Sequence, residues 1–210
     1  MQEAQIFFPY ETIRDVQGSL IKDLHMALEQ KQHAIVHAPT GLGKSAASLS
    51  VALKFAVEKK LTVFFLTSRH TQHDIAVETL KEIQARYGLN LQVVDLIGKK
   101  WMCPDPGTNT LASGEFNEYC KKVREDQKCS YYVKSRKNHQ LTTEAKAIIG
   151  TLNSKIHHNR EFVRITATEG HCPYEIALER AKQAQLIVAD YNYIFNQHLS
   201  ESFLRKISKD

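Results

Sequence analysis

No stretch of the 210 residues approaches the roughly 18 consecutive apolar residues that a membrane-spanning helix needs. The opening Met1-Gln2-Glu3-Ala4 shows no basic region followed by an apolar one, so the sequence predicts neither secretion nor membrane insertion. Proline (5) and glycine (9) are scarce, and there is no internal repeat or low-complexity tract, which excludes a collagenous or linker-like chain. Four cysteines are too few for a disulfide-dense miniature, and none of them forms a CxxC pair. What is present, 42% hydrophobic and 24% charged residues, is the composition of an ordinary globular protein. The length accommodates one domain with an insertion, or two small domains.

Lys and Arg number 28 against 23 Asp and Glu, a formal net charge of +5. The excess is local: Lys99 to Arg164 holds 13 basic and 7 acidic residues, and the remainder is close to neutral. A confined positive segment suits a surface that faces a polyanion, and equally a solvated helix face.

Apolar residues at helical spacing (Ile13, Val16, Leu20, Ile21, Leu24, Leu28) predict an amphipathic helix over 13–28. The run Ala34-Ile35-Val36-His37-Ala38 predicts a buried strand, followed by a Gly-containing loop and a helix over 45–57. Further strands are expected at 61–66 and 91–97, with a helix over 74–87 between them. Strands alternating with helices predict an α/β fold, a parallel sheet with right-handed crossovers. From Gly98 to Cys172 the pattern changes: all four cysteines and four of the ten histidines fall there, without a comparable apolar run. This segment reads as a mostly helical insertion. A helix over 174–184, a strand at 186–189 and a last helix over 193–210 then resume the sheet.

Ala38-Pro39-Thr40-Gly41-Leu42-Gly43-Lys44-Ser45 lies between a predicted strand and a predicted helix, the setting of a phosphate loop. Successive backbone N–H groups at a helix N-terminus form a concavity for phosphate oxygens, and glycines let the backbone approach closely. Lys44 would reach the β and γ phosphates of ATP and the Ser45 hydroxyl would ligate Mg²⁺. The bland reading is a tight glycine turn without a ligand. Upstream, Phe8-Pro9-Tyr10 with Arg14 and Gln17 offers an aromatic surface and an amide able to make paired hydrogen bonds to an adenine edge, or simply a hydrophobic anchor.

Cys103, Cys120, Cys129 and Cys172 are separated by 16, 8 and 42 residues. Beside a nucleotide loop, which points to a reducing compartment, four thiols suggest a metal site rather than disulfides. Tetrahedral zinc usually draws its ligands from close pairs, whereas an iron–sulfur cluster can be held by dispersed cysteines, so the spacing leans towards the cluster. His139, His157, His158 and His171 keep zinc open, and four unlinked buried thiols are the third alternative.

Taken together these residues resemble the N-terminal part of the XPD/DinG-like iron–sulfur DNA helicases of superfamily 2. The resemblance covers nearly the whole chain. Phe8-Pro9-Tyr10, Arg14 and Gln17 look like the adenine-reading motif of that family. Ala38 to Ser45 looks like its Walker A loop, in which Ala in place of the first glycine is common. Thr67-Ser68-Arg69-His70-Thr71-Gln72 looks like the next motif, which touches the DNA backbone. Gly98-Lys99-Lys100-Trp101-Met102-Cys103 resembles the start of its iron–sulfur domain and Cys172-Pro173-Tyr174 its end. Asp190-Tyr191-Asn192-Tyr193-Ile194-Phe195 resembles the strand and turn that follow.

The resemblance implies a P-loop (RecA-like) fold. Residues 1–97 would form the first part of motor domain 1, 98–172 the iron–sulfur insertion, and 173–210 the return to the motor. It implies ATP and Mg²⁺ bound through Tyr10, Arg14, Gln17, Pro39, Thr40, Gly41, Leu42, Gly43, Lys44 and Ser45. It also implies a 4Fe-4S cluster on Cys103, Cys120, Cys129 and Cys172, placed where DNA strands part during 5′ to 3′ translocation. Arg69, His70, Lys99 and Lys100 would contact DNA, single-stranded or at a fork, and Trp101, Tyr119, Tyr131 and Tyr132 are available for stacking. DNA repair in the cytoplasm of an archaeal-like cell, or in a eukaryotic nucleus, would be the setting.

No Asp-Glu-Ala-His box and no second motor domain occur in these residues. The remainder of a helicase chain is therefore an expected partner, and the 210 residues alone should hardly hydrolyse ATP. The rival function is a metal-stabilised DNA-binding module without nucleotide hydrolysis. A small-molecule kinase would leave the basic cysteine segment unexplained.

Overall fold

The computed structural model describes residues 6–209. The opening residues read for a leader, and Asp210 at the end of the last predicted helix, lie outside the described residues. In chain order the elements are α1 (Asp15–Glu29), α2 (Lys44–Lys59), β1 (Val63–Thr67), α3 (His70–Tyr87), β2 (Val93–Leu96), α4 (Ser113–Glu125), α5 (Ser130–Ser135), β3 (Arg136–Lys137), β4 (Gln140–Leu141), α6 (Thr143–Leu152), α7 (Asn159–Thr168), α8 (Pro173–Ala181), β5 (Leu186–Asp190), α9 (Asn192–Phe195) and α10 (Gln197–Ile207). Single 3₁₀ turns cover Lys99–Met102 and Pro106–Thr108.

The fold is α/β, as the alternation of patterns predicts. Three parallel strands run in the order β1-β5-β2, so the strand latest in sequence is central. Val63 pairs with Leu186 and Thr67 with Asp190, which brings the C-terminal ends of β1 and β5 side by side. Pleating sorts the side chains by parity. Leu186 and Val188 join Leu49, Leu53, Val77, Leu80 and Ile83 of α2 and α3 on one face. Ile187 and Ala189 join Ile176, Ala177, Phe203 and Ile207 of α8 and α10 on the other. A third cluster, Phe8, Leu20 and Ile21 against Ala46, Ala47 and Val51, fastens α1 to α2.

The strand predicted at 34–38 does not form. These residues are unpaired and open to solvent, Ile35 completely so. A strand needs a neighbouring edge to satisfy its backbone, and among the described residues no strand borders this run. Its apolar composition alone does not supply one. Other boundaries move by a few residues. The helix expected from Asp74 begins at His70, and the last predicted helix breaks at Asn196, whose side chain caps α10 through the Leu199 amide.

Residues 98–172 are not an appendage. Met102, Ala145, Ile148, Leu152 and Phe162 belong to the same apolar cluster as β2, β5 and α8. The segment is mostly helical, but it also carries the short antiparallel pair β3–β4, too brief for a period-2 pattern to mark. At the end of α6, Arg180 donates to the Leu152 carbonyl (3.2 Å) and to Asn153 Oδ1 (3.1 Å), and it lies over the Phe162 ring. Burial alone brings its guanidinium down to about 10. The C-terminal carbonyls of α6 stand in for a carboxylate here.

Candidate nucleotide and cysteine sites

The glycine loop has the backbone that phosphate binding needs. Gly41 (φ 82°) and Gly43 (φ 83°) lie in the left-handed region, and α2 begins immediately at Lys44. At Gly43 the positive φ calls for glycine, and a Cβ there would also displace the Gln17 amide. Lys44 Nζ folds back to donate to the carbonyls of Ala38 (3.0 Å) and Pro39 (2.8 Å). A phosphate oxygen is a stronger, charged acceptor for the same ammonium.

The structure brings Arg14 and Gln17 to this loop. Gln17 is buried. Its Nε2 donates to Leu42 O (2.7 Å), its Oε1 accepts from the Arg14 amide (3.0 Å), and Arg14 reaches Gly41 O at 3.4 Å. The Gln17 amide thus braces the loop, while Tyr10, edge-on to Phe8 and half exposed, presents an open ring. Pro39, Thr40 and Gly41 are exposed, with Leu42 and Ser45 half-buried.

Arg69 and His70 are exposed where β1 passes into α3. The Arg69 amide donates to Thr67 Oγ1 (3.1 Å), and that hydroxyl is in turn bonded to Gln72. The turn leaves both predicted DNA-contacting side chains facing solvent. Lys99 lies over the Tyr174 ring, whereas Lys100 lies over Trp101 and donates to Leu111 O. Of the other basic residues in the segment, Arg124 and Arg136 pair with Glu175, and Lys134 donates to Glu169 O. Lys121, Lys122 and Lys137 stay exposed, as does Trp101.

Three of the four cysteines sit at element junctions, Cys103 at the end of a 3₁₀ turn and Cys129 and Cys172 at the N-caps of α5 and α8, whereas Cys120 lies within α4. All are half-buried and none is in a disulfide. Burial pushes the Cys103 thiol up, with Cys120 adding to the shift. Burial also drives Cys172 up to about 12, helped by Glu175, Cys129 and Cys120. The thiols are therefore electrostatic neighbours. Among the described residues, however, no three His, Cys, Asp or Glu side chains converge closely enough to hold a single metal ion. His171 is buried with Nδ1 3.4 Å from Ser135 Oγ, and that same hydroxyl accepts from the Cys172 amide (2.8 Å).

Sequence reasoning missed a second polar centre. Buried His73 and Asp95 meet at 2.5 Å, and the other Asp95 oxygen accepts from both the amide and the side chain of Asn159, each at 2.8 Å. The one signal was an acidic residue within the apolar run Val93-Val94-Asp95-Leu96. Next to it His158 bonds Glu78 of α3, and His157 is buried 3.3 Å from Glu161 without the alignment of a hydrogen bond.

Burial lowers the pKa of His157 below its ordinary 6.5, opposed by Glu161. The unfolded chain then binds a proton that the folded chain refuses, so stability is full above pH 6.5 and declines below it. This residue contributes at most about 1.4 kcal/mol per pH unit. His157→Gln should flatten the pH dependence of urea denaturation below pH 6.5. An unchanged slope would assign the effect elsewhere.

The sequence matches the DEAD_2 family over residues 65–210. Over 131 residues, 61% of the chain, it is 32% identical to a "Probable ATP-dependent helicase" of Methanocaldococcus jannaschii, of which it covers 18%. It is 23% identical to a "Regulator of telomere elongation helicase 1 homolog" of Caenorhabditis briggsae, across 96% of the chain and 22% of that protein. To the "General transcription and DNA repair factor IIH helicase subunit XPD" of Arabidopsis thaliana it is 21% identical, across 100% of the chain and 30% of the relative. The chain thus spans between 18% and 30% of the length of these relatives. No helix among the described residues is long and apolar enough to cross a membrane. With a parallel α/β sheet, a glycine loop heading α2 and a match over some 70% of its length, the chain belongs to the DEAD_2 family.

Proposed function

We propose that these residues form the ATP-loading part of a 5′ to 3′ DNA helicase whose residues 98–172 carry a 4Fe-4S cluster beside the point of strand separation. The observation that carries the reading is the loop: two glycines at positive φ immediately before α2, with Lys44 at the head of the helix. Relatives named as helicases supply the reaction class. Lys44 would exchange its carbonyl partners for β and γ phosphate oxygens, Ser45 would hold Mg²⁺, and Tyr10 would stack on the adenine. Arg14 and Gln17 keep the loop in shape. Phosphoryl transfer also needs an acidic pair for the metal and attacking water, and arginine fingers. Removal of an arginine finger alone costs roughly 10³ to 10⁵ in rate, so this chain by itself should be nearly inert towards ATP.

The cysteines fit a group larger than one ion. Dispersed thiols that feel one another's charge suit the wider core of an iron–sulfur cluster, and Cys103, Cys120, Cys129 and Cys172 would hold it. When bound, such a group cross-links four segments of the chain through its thiolates. Arg69, His70, Lys99 and Lys100 would meet DNA phosphates, with the exposed Lys121, Lys122 and Lys137 available as well. Anaerobic reconstitution of the chain should give iron and sulfide in equal amounts, with a broad visible absorption that bleaches on reduction. Zinc without sulfide, or no metal at all, would overturn the cluster. The work of such a helicase would be DNA repair, in the cytoplasm or, in a eukaryote, the nucleus.

A further inference from the structure

One hydrogen-bond donor beside the cysteines goes unused. Arg124 Nε is buried and has no partner among the described residues. An unsatisfied buried donor on a charged group is costly, and native proteins keep few of them. The rest of this guanidinium is held in place. It lies 4.3 Å over the Tyr132 ring, and its Nη2 is 3.5 Å from Glu175 Oε1. Glu175 cannot turn to Nε, because its other oxygen accepts from Arg136 Nε at 2.6 Å and Arg136 is further fixed by Glu179 at 3.1 Å.

The clasp draws on three cysteine-bearing segments. Arg124 follows Cys120 by four residues, so the two share one face of α4 a turn apart. Tyr132 follows Cys129 by three residues on α5, and Glu175 follows Cys172 by three on α8. Arg124 also senses the charge of Cys120. A fixed cationic donor without a partner among the described residues, one helical turn from Cys120 and held by residues a turn past Cys129 and Cys172, calls for an anionic acceptor, and sulfur of a thiolate-ligated cluster is one.

We infer that Arg124 Nε donates a hydrogen bond to a sulfur of the iron–sulfur group, and that Glu175 and Tyr132 are the positioning residues that aim it. This inference rests on the cluster reading above. It differs from a purely structural role for Arg124 in sign. A structural arginine stabilises the chain whether or not iron is bound. The proposed donor is unsatisfied in the iron-free chain and satisfied in the loaded one, so its removal should spare the first and weaken the second.

The test compares the full chain with Arg124→Met, Arg124→Lys and Glu175→Gln, each iron-free and reconstituted. Loss of outer-shell partners typically lowers metal affinity about 10- to 100-fold. The half-life of the visible absorption under a chelator should accordingly shorten at least about tenfold in Arg124→Met. Its iron-free form should unfold at an unchanged or higher urea concentration. Arg124→Lys keeps the charge but lacks Nε, and should lose cluster lifetime as well; Glu175→Gln should do so by releasing Arg124. Unchanged half-lives in both Arg124 variants, or equal destabilisation with and without iron, would overturn the role of Arg124 while leaving the cluster in place. Failure of the unsubstituted chain to take up iron would instead overturn the cluster reading.

Discussion

Lys44→Ala, introduced into a full-length protein carrying this chain, is expected to lower DNA-stimulated ATP turnover by about 10² to 10³-fold, the usual effect of deleting one fixed electrostatic contact to the transition state. The lysine contributes nothing to the apolar core. It is exposed and bonds only to the carbonyls of Ala38 and Pro39 in its own loop, so the melting temperature should hardly move. Affinity for single-stranded DNA in the absence of nucleotide should also persist, because Arg69, His70 and the exposed lysines of 98–172 lie elsewhere. Lost turnover with retained fold and DNA binding is the pattern of a nucleotide site. Unchanged turnover and unwinding would favour the rival reading, a DNA-binding module whose loop is only a turn.

The parts of this protein that were legible in its sequence are those specified by near neighbours in the chain. Periodicity placed α1, α2, α3 and α8, and the apolar runs placed β1, β2 and β5, since each of those patterns reflects which face the element buries. The glycine loop was legible because positive φ at Gly41 and Gly43 restricts the residue type directly. The run Ala34 to Ala38 has the same composition as a true strand and still fails to pair, because pairing depends on a neighbour that composition does not encode. The resemblance, not charge, singles out Lys99 and Lys100 as DNA contacts, and the structure lays them over the rings of Tyr174 and the exposed Trp101. Charge counts do not separate such lysines from Lys121 and Lys122, which face water. The Glu175 clasp joins Arg124 and Arg136 across 51 and 39 residues of sequence, a distance over which no local pattern operates.

The same argument bears on Asp95, where the second large effect is expected. Asp95→Ala should destabilise the chain by about 3–5 kcal/mol, the range for breaking a buried polar pair by removing one partner. The substitution strands three buried groups at once: His73 Nδ1, the Asn159 amide at the start of α7, and the Asn159 side chain. Neither His73 nor Asn159 has water close by to take over, since both are almost fully buried. Asp95→Asn separates shape from charge: its remaining oxygen can still accept from Asn159, so the loss should be nearer 1 kcal/mol, the size of one ordinary hydrogen bond. Chemical denaturation of the two variants measures the difference. Equal, small losses would mean that the pair is replaceable packing. A large gap would mean that a single carboxylate on β2 fixes both the first turn of α3, which opens on the exposed His70 after Arg69, and the first turn of α7, which leads to Cys172. Through that one residue the segment with the cysteines and the turn that exposes Arg69 and His70 would be held in a common frame.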